Sequence, residues 1–272
     1  MTESLTYNIT GPIFEININN PQSLNSFTIP EFVKLANLFD LANENENTSV
    51  TLLTSTGDFF SAGANIKFVS KMINKSKLEY YEEITSKNIL LVHTILNHKK
   101  LIVVALNGPV IGLSAALVCM MDIIYAYIPD NNDNNDNDNS NNKLKQPYMQ
   151  FPFASIGLIN ECGVSASLPY RLGLTKSLEA VSFAKPITLD EMISSGFITK
   201  SIKSNSVNNF NLQVKKNILK LVSNLAIDSI IENKNLIRKA FNNQINNQIV
   251  NESMNGLKRW VDERPQTAFK LM

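Results

Sequence analysis

The chain of 272 residues has few side chains that bind metals or form disulfides: two cysteines, Cys119 and Cys162, and two histidines, His93 and His98. The cysteines lack metal-type spacing, and no acidic or cysteine partner lies at ligand spacing from the histidines, so we predict no metal site. So low a cysteine content indicates reduced thiols in a reducing compartment. We expect Cys162 to be a small buried side chain and His93 to be packed or at the surface.

An excess of charge of one sign is also absent, since 25 lysines and arginines stand against 24 aspartates and glutamates, a net charge of +1. No face is forced to be basic, which argues against a nucleic-acid partner. No run approaches the roughly 18 consecutive apolar residues of a membrane-spanning helix, so we predict no membrane span. The hydrophobic fraction of 44% suits a globular protein with a substantial buried core.

Strands and helices alternate along the first half of the chain. The predicted strands span 6–9, 13–18, 50–54, 101–106 and 122–127. Residues Thr28 to Glu31 read as a capping box with proline in the first turn, followed by apolar residues at helical spacing. Further helices are expected over 67–99 and from Gly112 or Leu113 to Met121. This alternation predicts an α/β fold of βαβ units with right-handed crossovers.

We divide the chain into two parts: a core, residues 1–196, and a C-terminal helical region for trimerisation or packing, residues 197–272. The apolar spacing is helical from Thr188 to the end. Within the core, residues 131–142 are asparagine and aspartate with a single serine. Such a segment buries no apolar side chains, so we predict a disordered surface loop inserted into the core. An apolar stripe near the C terminus is expected to face the core or another subunit; it consists of Leu257, Trp260 and Val261.

Two glycine-containing segments carry the clearest functional signal: residues 59–67 (FFSAGANIK) and 107–117 (NGPVIGLSAAL). Each follows a β-branched or aliphatic run, passes through small residues and opens a helix-compatible stretch, which leaves backbone N–H groups unpaired. Either segment alone would fit a tightly packed helix start. Two such N–H groups from different turns can together hold a carbonyl oxygen as it gains negative charge.

In this order and at this spacing, the two segments resemble the signature regions of the crotonase (enoyl-CoA hydratase/isomerase) superfamily. The resemblance runs from about Ile13 to Gly196 and more loosely beyond. It implies a crotonase-like core of repeated ββα units arranged in a spiral, followed by helices. It also implies an acyl-CoA thioester as substrate, with the backbone amides of Ala62 and Leu113 as the two donors to its carbonyl oxygen.

The resemblance also bears on the reaction. Hydratases of this family carry two catalytic glutamates, at positions where this chain has Ala116 and Phe153, so hydration by two carboxylates is not expected. Fungal Δ3-Δ2-enoyl-CoA isomerases of the family instead carry one catalytic glutamate, which corresponds to Glu161. Its apolar sequence neighbours should desolvate Glu161 and raise its pKa. The alternative is a surface glutamate at a helix N-terminus.

Other candidate site residues rest on the same resemblance. Similar isomerases place an asparagine near the glutamate, which here would be Asn88, although a surface asparagine fits equally well. Asn65 stands where the family usually has aspartate, in a turn that holds CoA chiefly through backbone groups. The candidate substrate-binding residues are Ser61, Ala64, Asn65, Ile66 and Gly112.

These residues predict a Δ3-Δ2-enoyl-CoA isomerase that acts in the β-oxidation of unsaturated fatty acids and needs no metal, nicotinamide or flavin cofactor. The alternatives are a dienoyl-CoA isomerase, which would normally use a second carboxylate, and a catalytically silent acyl-CoA-binding protein. The resemblance further implies homotrimers or hexamers and a peroxisomal location. The last three residues, Lys-Leu-Met, match a Ser-Lys-Leu targeting signal poorly, which leaves a cytoplasmic location open.

Overall fold

The computed structural model describes residues 3–130 and 146–271, so the predicted loop at 131–142 lies outside the described residues. The strands are β1 (Leu5–Thr10), β2 (Ile13–Ile18), β3 (Val50–Ser55), β4 (Leu101–Leu106), β5 (Val110–Ile111), β6 (Ile123–Pro129), β7 (Met149–Gln150) and β8 (Lys200–Ser204).

The helices of the first half are α1 (Ile29–Glu44), α2 (Ile66–Val69), α3 (Lys77–Tyr80), α4 (Ser86–Leu96) and α5 (Leu113–Cys119). Those of the second half are α6 (Val164–Leu172), α7 (Leu174–Ser182), α8 (Leu189–Ser194), α9 (Val207–Val222), α10 (Ile227–Val261) and α11 (Arg264–Phe269). A π-helical segment, Tyr81–Thr85, joins α3 to α4. None of the helices in the described ranges is long and apolar enough to cross a membrane.

Six strands form one mixed sheet in the order β1-β2-β3-β4-β6-β8. Strands β1 and β2 form an antiparallel hairpin, and every later pair in this sheet is parallel. Strands β5 and β7 form a separate parallel pair beside the predicted functional turns. The architecture confirms the α/β prediction, and β3 and β4 are almost entirely buried, as expected for parallel strands covered on both faces.

Alternate residues of the central strands enter two different cores, as the two-residue period of a strand requires. Leu53 and Val104 face the larger core, which α1, α4, α5 and part of α10 complete. Leu52 and Val103 face a smaller core beneath α9. The first turn of α1 has the predicted capping box, in which the backbone N–H of Thr28 donates to the Glu31 carboxylate at 2.7 Å.

Two helix predictions need correction. The segment predicted as one helix over 67–99 is broken after α2, and Ser76 starts a new helix with its own capping box. The C-terminal region is not helical throughout, because β8 pairs with β6 and completes the core sheet beyond residue 196. Its sequence, KSIKS, is mostly polar, as edge strands often are, so no apolar run marked it as a strand.

Candidate active site

The two glycine-containing segments meet at a cavity of about 320 Å³. Its walls are largely apolar and come from both halves of the chain. The side chains that close it include Phe32, Val69, Ile84, Phe153, Trp260 and Phe269. Within the described residues, Glu161 is the only carboxylate that lines this cavity.

Buried polar side chains fix the first segment, residues 59–67, through hydrogen bonds. The Asn25 side chain donates to the carbonyls of Thr56 and Phe59 at 2.7 and 2.8 Å. Ser61 is fully buried, and its hydroxyl bonds to the Asn25 carbonyl and to the Ser114 hydroxyl, both at 2.8 Å. The prediction that Ser61 contacts substrate is therefore wrong, because its side chain joins the two segments instead of facing the cavity.

The prediction of Ala62 as a donor is also wrong. Its backbone N–H already donates to the Leu24 carbonyl at 2.9 Å, although the residue lines the cavity. The N–H of Ala64, two residues further on, has no hydrogen-bond partner among the described residues. Sequence alone could not separate two alanines in one turn, since the choice depends on the contact with Leu24.

The geometry of a β-bridge turns the Ala64 amide away from the core. Ala64 pairs with Phe27, whose N–H donates to the Gly63 carbonyl at 2.8 Å and whose carbonyl accepts from the Asn65 N–H at 2.7 Å. In this pattern the residue between the two bonded neighbours directs its own N–H away from the partner. Ala64 lines the cavity, so of the two alanines in this turn it is the candidate donor.

The second segment supplies another unpaired amide. Leu113 is the first residue of α5, and its N–H has no intrahelical partner because the helix starts there. Gly112 before it has φ 58° and ψ −126°, a conformation that essentially only glycine adopts without strain. Leu113 and Gly112 both line the cavity.

Glycine is also required where the two segments touch. Gly63 has φ 83°, and a Cβ atom there would lie 2.5 Å from the Ile111 carbonyl oxygen and 3.4 Å from the Leu113 nitrogen. The backbone next to Ala64 thus packs directly against the start of α5. The Ile111 N–H donates to the Ser61 carbonyl at 3.0 Å and fixes this approach.

Glu161 lines the same cavity and stands at the start of a turn with two left-handed residues. Cys162 has φ 56° and Gly163 has φ 76°, and α6 begins at the next residue. Glu161 is partly buried, and desolvation followed by the nearby charge of Glu252 raises its pKa to about 7. The predicted rise in pKa is confirmed. Cys162 is buried, as expected.

Asn88 reaches Glu161 from α4. Its side-chain Nδ2 donates to Glu161 Oε2 at 3.4 Å, and the residue is buried, which excludes the alternative of a surface asparagine. Asn88 follows the π-helical segment Tyr81–Thr85, and π-helical turns often occur at functional sites. The structure thus brings Glu161, Asn88 and the Leu113 amide together at one cavity.

The remaining predicted binding residues divide into two groups. Ala64, Ile66 and Gly112 line the cavity. Asn65 does not, because its side chain caps α2 by accepting from the Phe68 N–H at 3.0 Å. A role of Asn65 in substrate binding stays a prediction.

The C-terminal helices contribute to the site in a way that the sequence pattern missed. Trp260 and Phe269 line the cavity, and Leu257 and Trp260 belong to a buried cluster beside it, whereas Val261 of the same stripe is exposed. Glu252 on α10 is buried next to the turn behind Glu161. No motif surrounds Glu252 in the sequence, so only the packing of α10 against α6 indicates its place.

Residues 8–265 match the family of enoyl-CoA hydratases/isomerases. A 3,2-trans-enoyl-CoA isomerase of Saccharomyces cerevisiae is 34% identical over 281 residues, covering 98% of this chain and 93% of the relative. A Δ(3,5)-Δ(2,4)-dienoyl-CoA isomerase of the same yeast is 30% identical, covering 99% of this chain and 96% of the relative.

Solved structures share the fold at lower identity. An enoyl-CoA hydratase/isomerase from Pseudoalteromonas atlantica superimposes with a TM-score of 0.80 at 23% identity, covering 98% of this chain and 96% of the other. An enoyl-CoA hydratase from Bacillus halodurans gives 0.83 at 16% identity, covering 99% of this chain and 100% of the other. The chain belongs to the enoyl-CoA hydratase/isomerase family and has the predicted crotonase fold.

Proposed function

We propose that the protein is a Δ3-Δ2-enoyl-CoA isomerase, which moves a double bond from C3 to C2 of a fatty acyl-CoA. The observation that carries the proposal is a single carboxylate of raised pKa, Glu161, in an apolar cavity that is also lined by Ala64 and Leu113, whose backbone amides have no hydrogen-bond partner among the described residues. One base beside an oxyanion site suits a proton transfer next to a thioester.

In a 3-enoyl-CoA the C2 protons lie between the thioester carbonyl and the double bond. The Glu161 carboxylate takes one of them, and the electron pair moves into a dienolate whose charge rests largely on the thioester oxygen. The amides of Ala64 and Leu113 donate to that oxygen. Protonated Glu161 then returns the proton at C4, which places the double bond between C2 and C3 and regenerates the carboxylate. The reaction balances without a cofactor.

A pKa near 7 suits both halves of this reaction. The base must be ionised when it removes the proton and protonated when it returns it, and catalysis is most efficient when the pKa lies near the working pH. The Asn88 amide, which donates to Glu161 Oε2, orients the carboxylate. The apolar walls, Phe153 among them, keep water away from the dienolate.

Hydration is disfavoured by the same walls. Ala116 is fully buried inside α5, and Phe153 is also buried. Neither can hold a water or accept a proton, so Glu161 has no partner for adding water across a double bond. A dienoyl-CoA isomerase, the activity named for a relative at 30% identity, would normally use a second carboxylate, and none lines the cavity among the described residues.

The direct test is an assay with 3-hexenoyl-CoA. We expect the purified protein to form the conjugated 2-enoyl-CoA without any added cofactor, followed by the ultraviolet absorbance of the conjugated thioester. With 2-enoyl-CoA as substrate, we expect negligible 3-hydroxyacyl-CoA. Robust formation of the hydroxy product, or no reaction with 3-hexenoyl-CoA, would overturn the proposal; the second result would favour a silent acyl-CoA-binding protein.

We also propose that the protein forms trimers or hexamers and acts in peroxisomes. The proposal is supported by exposed large apolar side chains on α6, on α7 and directly after α7, since such side chains mark interaction surfaces when they lie together; they are Tyr170, Leu174, Leu178 and Phe183. We expect light scattering after size-exclusion chromatography to give at least three times the chain mass of 30.4 kDa. We expect Phe183→Asp to weaken association, and a monomeric wild type would contradict this proposal.

A further inference from the structure

We propose that Glu252 on α10 is a positioning residue for Glu161: it anchors the left-handed turn behind Glu161 and supplies the negative charge that makes Glu161 the proton-carrying member of the pair. The proposal deepens the isomerase function above and rests on it. Three features of the structure support it: the hydrogen bonds of Glu252, the packing of α10, and the absence of competing charges around Glu161.

The first feature is the set of bonds that Glu252 makes. Its carboxylate accepts from the backbone N–H of Gly163 at 2.6 Å and from that of Ser165 at 2.8 Å. These are unpaired amides at the start of α6, which a carboxylate stabilises both as a hydrogen-bond acceptor and as a charge. The capping acceptor, the Glu252 carboxylate, lies on a helix almost ninety residues further along the chain, whereas most helix starts are capped by a neighbouring residue.

The second feature is the close contact between α10 and the turn. A Cβ atom on Gly163 would lie 2.4 Å from Cγ2 of Ile245, so the helix presses directly on the turn. The turn contains Cys162 at φ 56°, a conformation unfavourable for a side chain of this kind. Such strained backbone persists only where its surroundings fix it, and the Glu252 carboxylate supplies two of the fixing bonds.

One turn further along α10, Gly256 faces Glu161. A Cβ atom on Gly256 would lie 3.5 Å from Glu161 Oε1, which is ordinary contact distance. Glu252 and Gly256 are four residues apart and therefore share one face of the helix. On this face of α10, the Glu252 carboxylate binds the turn, and the missing side chain of Gly256 leaves space for Glu161.

The third feature is electrostatic. The other side chains around Glu161 are uncharged and come from the π-helical segment, α4, the turn and α10; they are Ile84, Thr85, Asn88, Cys162, Ser253 and Leu257. In the described part of the chain, Glu252 is the one charged group that raises the pKa of Glu161, second to burial itself.

The two backbone hydrogen bonds to Glu252 favour ionisation of Glu252 over that of Glu161. Burial raises the pKa of Glu252 too, but the hydrogen bonds from Ser165 and Gly163 oppose that rise. Bonds to the charged form favour ionisation, whereas a neighbouring like charge disfavours it. We therefore expect Glu252 to ionise first, which leaves Glu161 as the member of the pair that releases and takes up a proton near neutral pH.

The proposal predicts a shift in the pH profile of Glu252→Gln. Glu161 must be ionised in the free enzyme, so kcat/KM falls as the pH drops through the Glu161 pKa. Removing the neighbouring charge lowers that pKa, so the acidic limb should move to lower pH by at least about half a pH unit. Glu252→Asp keeps the charge but shortens the side chain, so its limb should stay near that of the wild type while kcat falls. The matched control is Glu232→Gln, at an exposed position on the same helix. It should change neither the acidic limb nor kcat.

A second measurement does not depend on activity and is made on the wild-type protein, with a variant used only for assignment. In wild-type protein labelled with ¹³C at the glutamate carboxyl groups, the Glu161 resonance, assigned with Glu161→Gln, should titrate near pH 7 and after that of Glu252. A Glu161 resonance that titrates at the ordinary glutamate pKa, or a folded Glu252→Gln with an unmoved acidic limb, would overturn the proposal. A wild type without isomerase activity would defeat the proposed function instead, and the carboxyl titration would still be readable.

Discussion

Glu161→Gln is expected to lower kcat for the isomerisation of 3-enoyl-CoA by at least about 10²-fold, the lower end for a lost general base. Glutamine preserves the size of the side chain and can still accept from Asn88, but it cannot take a proton. No other titratable side chain of the described residues lines the cavity to replace it. The measurement is the steady-state rate with 3-hexenoyl-CoA, together with the binding of a saturated acyl-CoA and the thermal unfolding temperature.

The matched control is Glu82→Gln. Glu82 is exposed on the π-helical segment near the site but does not line the cavity. It should keep nearly full activity. Acyl-CoA binding and the unfolding temperature should be close to wild type in both variants. The fall in kcat of Glu161→Gln would then arise from the proton-transfer step and not from lost binding or misfolding. Near-wild-type turnover by Glu161→Gln would refute the assignment of Glu161 as the base.

Local sequence patterns were sufficient for the parts of the site that depend on neighbouring residues. The glycine turn at 107–117 predicted unpaired amides, because a helix that starts after a glycine leaves its first N–H groups without partners. The family resemblance singled out Leu113 among them. The apolar neighbours of Glu161 predicted its raised pKa, and the structure confirms the direction and adds the charge of Glu252 as a second cause.

Long-range contacts explain what the sequence could not predict. Ala62 and Ala64 look alike in the sequence, and only the hydrogen bond from Ala62 to Leu24 distinguishes them. Ser61 is predicted to bind substrate, yet its hydroxyl bonds to that of Ser114, more than fifty residues away, inside the core. The sequence of strand β8 is too short and polar to predict a strand, and the strand forms because it pairs with β6. Each of these outcomes depends on a partner that is distant in sequence.

Leu113→Pro is expected to lower kcat by about 10²–10³-fold, the typical cost of removing one oxyanion donor. Proline lacks the backbone N–H, and it is well tolerated at the first position of a helix, where that N–H has no intrahelical partner. Leu113 occupies this position in α5. The substitution therefore removes the amide that would hold the thioester oxygen while leaving the hydrogen bonds of α5 intact.

The matched control is Leu113→Ala, which removes the leucine side chain but keeps the N–H group. Because Leu113 also lines the cavity, both variants lose the same wall contact, and a fall in acyl-CoA affinity should be common to them. The difference in kcat between the proline and alanine variants reports the loss of the N–H group together with the Cδ atom that takes the place of its hydrogen. Equal kcat values in two folded variants would show that the Leu113 amide does not stabilise the dienolate. A large difference at similar unfolding temperatures would place the developing charge at the start of α5.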